Sequence, residues 1–115
     1  MNPPKVLTFS HCCSQLEPMV ELLNRLYFRR RVEGLSIIYG PEWDTQPPLQ
    51  WVTRYFREYA LDEPDQLNFD WIDQCAHRVL VEERPDSIVL PHLRAPFAGI
   101  ARQAKARGIK MMVWA

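Results

Sequence analysis

PDSIVLPHLRAPFAGIARQAKARGIKMMVWA, residues 85–115, reads as a strand, an amphipathic helix and a second strand. Ser87, Ile88, Val89 and Leu90 form a short apolar run between Pro85-Asp86 and Pro91, the pattern of a strand buried on both faces. A residue before proline is pushed out of the helical region, so the preceding helix has to stop at Arg84. Pro96 suits the first turn of the next helix, where its missing N–H leaves no bond unmade. Phe97, Ile100, Ala101 and Ala104 recur at i, i+3, i+4 and i+7, one apolar stripe, and Lys105 and Arg107 complement the negative end of the helix dipole. Gly108 supplies the left-handed residue that ends the helix, and residues 109–114 are the last apolar run. Strand, helix and strand over about thirty residues make a βαβ crossover, right-handed in nearly all proteins, so a parallel sheet is expected.

Outward from there, the first third repeats the unit. Val6-Leu7-Thr8-Phe9 is a strand; Ser14-Gln15-Leu16-Glu17 has capping-box spacing, with Pro18 as an alternative first turn. Met19, Val20, Leu23, Leu26 and Tyr27 give a helical stripe that ends in Arg29-Arg30-Arg31, and residues 35–39 form a second strand between Gly34 and Gly40-Pro41. In the middle, Asp44 or Thr45 is expected to cap a helix beginning near Pro47, with Trp51, Val52, Tyr55, Phe56 and Tyr59 along one face. Residues 61–67 read as a loop, and Asn68 caps a helix carrying Phe69, Ile72, Cys75, Ala76, Val79 and Leu80. The order β-α-β-α-α-β-α-β specifies an α/β fold: a small Rossmann-like three-layer sandwich of four mostly parallel strands with helices on both faces, residues 1–115 forming a single domain.

Composition narrows the functional classes. Lys plus Arg equals Asp plus Glu at 14 each, so no global field draws nucleic acid or an anionic membrane, and Arg29-Arg30-Arg31 reads as a solvated helix end; nucleic acid is not expected. Three cysteines, two of them the adjacent Cys12 and Cys13, suit reduced thiols better than a disulfide framework; together with a start lacking a signal-peptide apolar core, they imply a cytoplasmic protein. No apolar run approaches the roughly twenty residues of a membrane span. No C-x2-C or H-E-x-x-H spacing, G-x-G-x-x-G or Walker loop is present, so neither a metal nor a cofactor is expected.

In an open parallel sheet, ligands bind beyond the carboxyl ends of the strands where strand order reverses. Ser10 and His11 follow the first strand, Gly40, Glu42 and Asp44 the second, and His92 and Arg94 the third. A sheet order of second, first, third, fourth brings His11 and His92 toward one crevice. Arg94 then stands just before a helix N-terminus, where an anion meets a guanidinium and unpaired backbone N–H groups. A phosphate-loop cysteine enzyme would need an arginine about six residues beyond Cys12 or Cys13, where Pro18 and Met19 stand instead. PIN and NYN ribonucleases place acidic metal ligands at their strand ends, and a first strand running into Ser10-His11 offers none.

Residues 79–90, VLVEERPDSIVL, with residues 100–111, IARQAKARGIKM, and Ile37-Ile38-Tyr39-Gly40, resemble the SLOG superfamily of Rossmann-like nucleotide-binding domains, which includes Lonely-Guy-type and DprA-type proteins. The resemblance covers most of the chain in outline and implies a nucleotide-like ligand at the strand ends. The family's phosphate-cradling glycines are replaced by Pro91-His92-Leu93-Arg94-Ala95-Pro96, and its strand between the middle helices has no counterpart in residues 61–67. Without glycine the backbone approaches phosphate less closely. No residue matches a Lonely-Guy glycoside-cleaving centre.

The reading that follows is a domain binding a nucleotide or another phosphate-bearing small molecule through Ser10, His11, Gly40, Glu42, Asp44, His92 and Arg94. No catalytic residue is assigned. The rival is a non-enzymatic regulator or inhibitor that binds a protein partner through aromatics of residues 43–59; a hydrolase using His11 with Cys12 or Asp44 ranks third. A last strand at a sheet edge invites pairing with a second copy, hence a homodimer.

Overall fold

The computed structural model describes residues 3–11, 20–38, 52–59 and 68–113. They form an α/β fold of the Rossmann-like kind, in chain order β1 (Lys5–Ser10), α1 (Val20–Phe28), β2 (Glu33–Ile38), β3 (Val52–Tyr55), a 3₁₀ turn (Phe56–Glu58), α2 (Phe69–Glu83), β4 (Ser87–Leu90), α3 (Phe97–Ala106) and β5 (Lys110–Val113). The strands make one sheet in the order β3-β2-β1-β4-β5, every pairing parallel. The strand order reverses between β1 and β4, as expected for the four strands foreseen.

Period-two alternation divides the sheet into unlike faces. Leu7, Phe9, Leu35, Ile37, Ile88 and Leu90 form one core with Ile72, Cys75, Ala76, Val79 and Leu80 of α2 and with Phe97, Ile100, Ala101 and Ala104 of α3. Fully burying one such aliphatic or aromatic side chain stabilises by about 1.5–3 kcal/mol, so this face dominates the driving force. The opposite face is thinner: Val6 and Val89 pack on Leu23 of α1, with Tyr27 and Val32 alongside. Thr8 and Ser36 are buried there and pair through their hydroxyls, Thr8 Oγ1 to Ser36 Oγ at 2.9 Å.

Local signals fix the helix ends. The Asn68 side chain accepts from the backbone N–H of Asp70 at 2.8 Å and of Trp71 at 3.2 Å, satisfying two donors at the start of α2. Arg84 ends α2 in the left-handed conformation, φ 46°, and Pro85 follows. Gly108 closes α3 at φ 70°, donating to the Lys105 carbonyl, while Ile109 donates to the Ala104 carbonyl and packs on the core.

The middle segment departs from the sequence expectation. Residues 52–55 of the expected helix over residues 47–59 are instead a strand, pairing Leu35 with Val52 through Ile38 with Tyr55. Val52, Thr53 and Tyr55 favour extended backbone, and the open side of β2 offers a ladder to complete. Phe56 and Tyr59, read as members of a helical stripe, lie three apart around a 3₁₀ turn, which brings i and i+3 to one side; both are core residues. The sheet therefore has five strands rather than four. Residues 14–19, 61–67 and 114–115, with the readings placed on them, lie outside the described residues.

The amino ends of the strands are tied together. The Lys5 backbone N–H donates to the Asp86 carboxylate at 2.7 Å, and the Asp86 N–H returns to the Lys5 carbonyl at 2.9 Å. Lys5 Nζ meets Glu83 at 2.7 Å, and the other Glu83 oxygen accepts from the Tyr59 hydroxyl at 2.8 Å. Burial alone would raise the Glu83 pKa. The hydrogen bonds from Lys5 and Tyr59 and the charges of Lys5 and Arg54 outweigh it and hold the carboxyl below its usual range. Burial, then the bond to Glu83, raises the Tyr59 hydroxyl well above its usual value.

Candidate functional site

The carboxyl ends of β1 and β4 are neighbours, through the pairing of Thr8 with Val89. The helix leaving β1 covers one face of the sheet, whereas the helices entering and leaving β4 cover the other. The carboxyl ends of β1 and β4 are thus where the strand order reverses, the place at which open parallel sheets bind ligands.

Ser10 ends β1 on the α1 face, two residues beyond Thr8. It is fully buried, and its hydroxyl has no hydrogen-bond partner among the described residues. A buried hydroxyl is ordinarily bonded, so Ser10 is an unspent donor and acceptor at the carboxyl end of β1. His11 follows, exposed at the rim.

Beyond β4, residues 91–96 fold into a compact turn. His92 Nδ1 accepts from the Arg94 backbone N–H at 3.1 Å, which assigns the proton of the neutral ring to Nε2. The ring stands edge-on to buried Phe97, with centroids 4.8 Å apart at 82°. The Arg94 side chain is exposed, and its guanidinium has no partner among the described residues.

One part of the expected anion site is arranged differently. The Arg94 carbonyl accepts from the N–H groups of Phe97 at 2.9 Å and Ala98 at 3.3 Å. Pro96 has no N–H, so these first amides of α3, foreseen as free for an anion, are already engaged. The groups at this turn still available to an anion are the side chains of Arg94 and His92 rather than a cradle of amides. Ser10 and His11 thus end β1, and His92 and Arg94 follow β4, its neighbour in the sheet; Gly40, Glu42 and Asp44 lie outside the described residues, as do Cys12, Cys13, Trp43 and Trp51.

Sequence reasoning does not single out the Trp71 indole N–H or the Gln103 carbonyl oxygen, both buried without a partner among the described residues. The Gln103 amide donates to the Asp73 carbonyl at 2.9 Å, joining α3 to α2. A hollow of about 670 Å³ lined by Pro3, Tyr27, Phe28, Arg30, Val32 and Glu33 lies at the amino ends of the strands, opposite the candidate site. Among the described residues, no group of three His, Cys, Asp or Glu side chains could hold a metal, and Cys75 is sealed in the core. No helix among them is long and apolar enough to cross a membrane.

No family model matches the chain, and the search of curated proteins finds no match. Among solved structures, the U34-tRNA thiolase NcsA from Methanococcus maripaludis, determined with its [4Fe-4S] cluster, is similar, with a TM-score of 0.53 and 18% sequence identity. The likeness covers 97% of this chain and 51% of the thiolase, so this chain spans about half of that protein's length. At this identity the likeness shows the fold alone: a Rossmann-like α/β sheet.

Proposed function

We propose that this domain binds a nucleotide-like or other phosphate-bearing small molecule in the crevice between the β1 and β4 ends. The observation that carries the reading is Ser10, wholly buried at the point where strand order reverses, with a hydroxyl that no described group satisfies. Its hydroxyl would bond the ligand at the floor, the Arg94 guanidinium would hold the negative charge, and His92 Nε2 would donate a hydrogen bond beside it. The SLOG resemblance points to the same ligand class. The absence of glycine from residues 91–96 and the engaged amides of Phe97 and Ala98 imply recognition by side chains. That the thiolase acts on tRNA adds nucleotides within a polymer to the ligands worth testing.

The grouping favours binding over catalysis. His92 is oriented by a backbone N–H rather than by a carboxylate, and no nucleophile stands in bonding contact with it among the described residues. Phe56 and Tyr59 are core residues and give no support to an aromatic partner surface there. A homodimer through β5, whose Met111 and Met112 are exposed at the sheet edge, belongs to the proposal and is checked by light scattering.

A thermal-shift panel of mono- and dinucleotides, pyrophosphate and phosphate tests the reading. At a ligand concentration 100 times Kd the fold gains about 2.7 kcal/mol. A chain of 115 residues, at about 2.1 cal/mol/K of unfolding entropy per residue, melts roughly 11 °C higher with that gain. Arg94→Ala should abolish most of the shift. No shift anywhere in the panel, or a shift equal in Arg94→Ala, overturns the assignment.

A further inference from the structure

The carboxyl end of α1 carries a surface unrelated to the crevice. Phe28 is 66% exposed, beside Tyr27 with ring centroids 5.8 Å apart at 56°. Arg29, Arg30 and Arg31 follow, all exposed, and among the described residues none of their guanidinium groups has a hydrogen bond or ion pair. Arg25, one turn earlier, is by contrast paired with Glu21 at 2.8 Å. The chain turns through the Arg30 N–H to the Tyr27 carbonyl and the Arg31 N–H to the Leu26 carbonyl, with Arg30 at φ 55°. An arginine thus occupies a left-handed position that glycine fills more cheaply, and it lines the hollow with Tyr27, Phe28, Val32, Glu33 and Pro3.

We propose that this turn is a docking surface for single-stranded nucleic acid, with a base stacked on Phe28 at the hollow and the flanking phosphates held by Arg29, Arg30 and Arg31. Three unpaired guanidinium groups beside an exposed aromatic face are the two elements that single-strand binding combines, a cationic track and a stacking platform. A hollow of about 670 Å³ lies within the 300–1,000 Å³ typical of ligand pockets and admits a splayed base. A zero net charge for the whole chain does not oppose this, because the charge that matters is local and unpaired. An anionic membrane fits less well. Among the described side chains of α1, the other exposed apolar one is Leu22, six residues from Phe28 and so about 120° around the helix, and the two make no broad apolar face to insert. Exposed Glu33 at the rim of the hollow is the one described group there that opposes a phosphate.

The test is fluorescence anisotropy of a labelled mixed-sequence 12-nucleotide RNA with the full chain, read against salt. Three phosphate contacts predict a slope of log K against log salt of about −2, an affinity loss of roughly eighteenfold between 50 and 200 mM. Phe28→Ala should weaken binding about tenfold with the slope unchanged. Arg30→Gly should weaken it and bring the slope to about −1.4 while leaving the melting temperature unchanged or higher, so that a loss cannot be ascribed to misfolding. Glu33→Gln should tighten it. Absence of binding at 50 mM salt, equal affinity for the duplex of the same sequence, insensitivity to Phe28→Ala and Arg30→Gly, or dependence on those residues for phosphatidylserine vesicles but not for RNA would each overturn the proposal. Arg102→Ala, at an exposed arginine of α3 on the other face of the sheet, should leave RNA binding intact, which ties a loss in Arg30→Gly to this surface rather than to net charge.

Discussion

Ser10→Ala should make the free protein more stable, an unusual outcome for a fully buried position. The Ser10 hydroxyl has lost water and gained no partner, and an unsatisfied buried hydroxyl costs about 1–3 kcal/mol. Removing one oxygen leaves only a small void, so the variant should gain about 1 kcal/mol, which for 115 residues is about 4 °C in Tm. Thr8 supplies the internal control. It lies on the same strand and face, two residues away, and its hydroxyl is bonded to Ser36 at 2.9 Å. Thr8→Val keeps the shape and breaks that bond, and should lose about 1 kcal/mol. Urea unfolding of both variants, with unchanged m-values, reads the two signs directly. If Ser10→Ala is destabilised as Thr8→Val is, the Ser10 hydroxyl is satisfied in the free protein and cannot be the vacant bonding group of a ligand site. A further consequence concerns any ligand found in the crevice: its thermal shift should be smaller on Ser10→Ala, although that variant starts from a higher Tm.

Four other perturbations test how the structure is held. Glu83→Gln should cost about 2 kcal/mol at pH 7, because an amide cannot accept from both Lys5 and Tyr59. The Glu83 pKa is depressed in the folded state, so its contribution is present above the ordinary carboxyl value of about 4.3 and fades as pH falls through the folded value. The gap between wild type and Glu83→Gln should therefore narrow in acid, and a gap equal at pH 3 and pH 7 contradicts the reading. Tyr59 is raised instead, so its contribution holds below about pH 10 and declines as pH rises through the folded value; Tyr59→Phe should flatten that alkaline loss. Arg30→Gly should stabilise by about 1 kcal/mol by relieving the left-handed turn. Asn68→Ala should cost about 1 kcal/mol by unsatisfying the Asp70 and Trp71 amides, measured by denaturation.

Legibility in the sequence followed how local the causes were. The unit from Ser87 to Val113 was readable because each boundary has its own chemical stop: Pro91 after the strand, Pro96 before the helix, Gly108 after it. The α2 boundaries were readable for the same reason, from Asn68 and Arg84-Pro85. Residues 52–59 were misread because Val52, Tyr55, Phe56 and Tyr59 satisfy a helical spacing, and only the non-local pairing with β2 makes the first part a strand. The site was partly legible. Residue types at the strand ends suggested Ser10, His11, His92 and Arg94, and the sheet order groups them. The engagement of the Phe97 and Ala98 amides by the Arg94 carbonyl was not legible, since it depends on the path of the backbone through residues 91–96. The Thr8–Ser36 pair was missed despite a usable signal: polar residues at positions 8 and 10 of β1 and 36 of β2 alternate with the apolar positions.

That alternation bears on where a ligand can act without undoing the fold. The face toward α2 and α3 is built of aliphatic and aromatic side chains and carries most of the burial, whereas the face toward α1 holds hydroxyls along β1 and β2 with a smaller apolar cluster beneath α1. The amino ends of the strands are secured by Lys5, Glu83, Tyr59 and Asp86. At the carboxyl ends, the Ser10 hydroxyl and the Arg94 guanidinium have no partner among the described residues. A six-residue strand separates these ends by about 20 Å. Groups so far apart with no shared partner contribute nearly additively, so the polar network that stabilises one end leaves the other free to keep groups unsatisfied. The proposed site asks for this division of labour, with the fold's stability residing away from the groups that would meet a ligand.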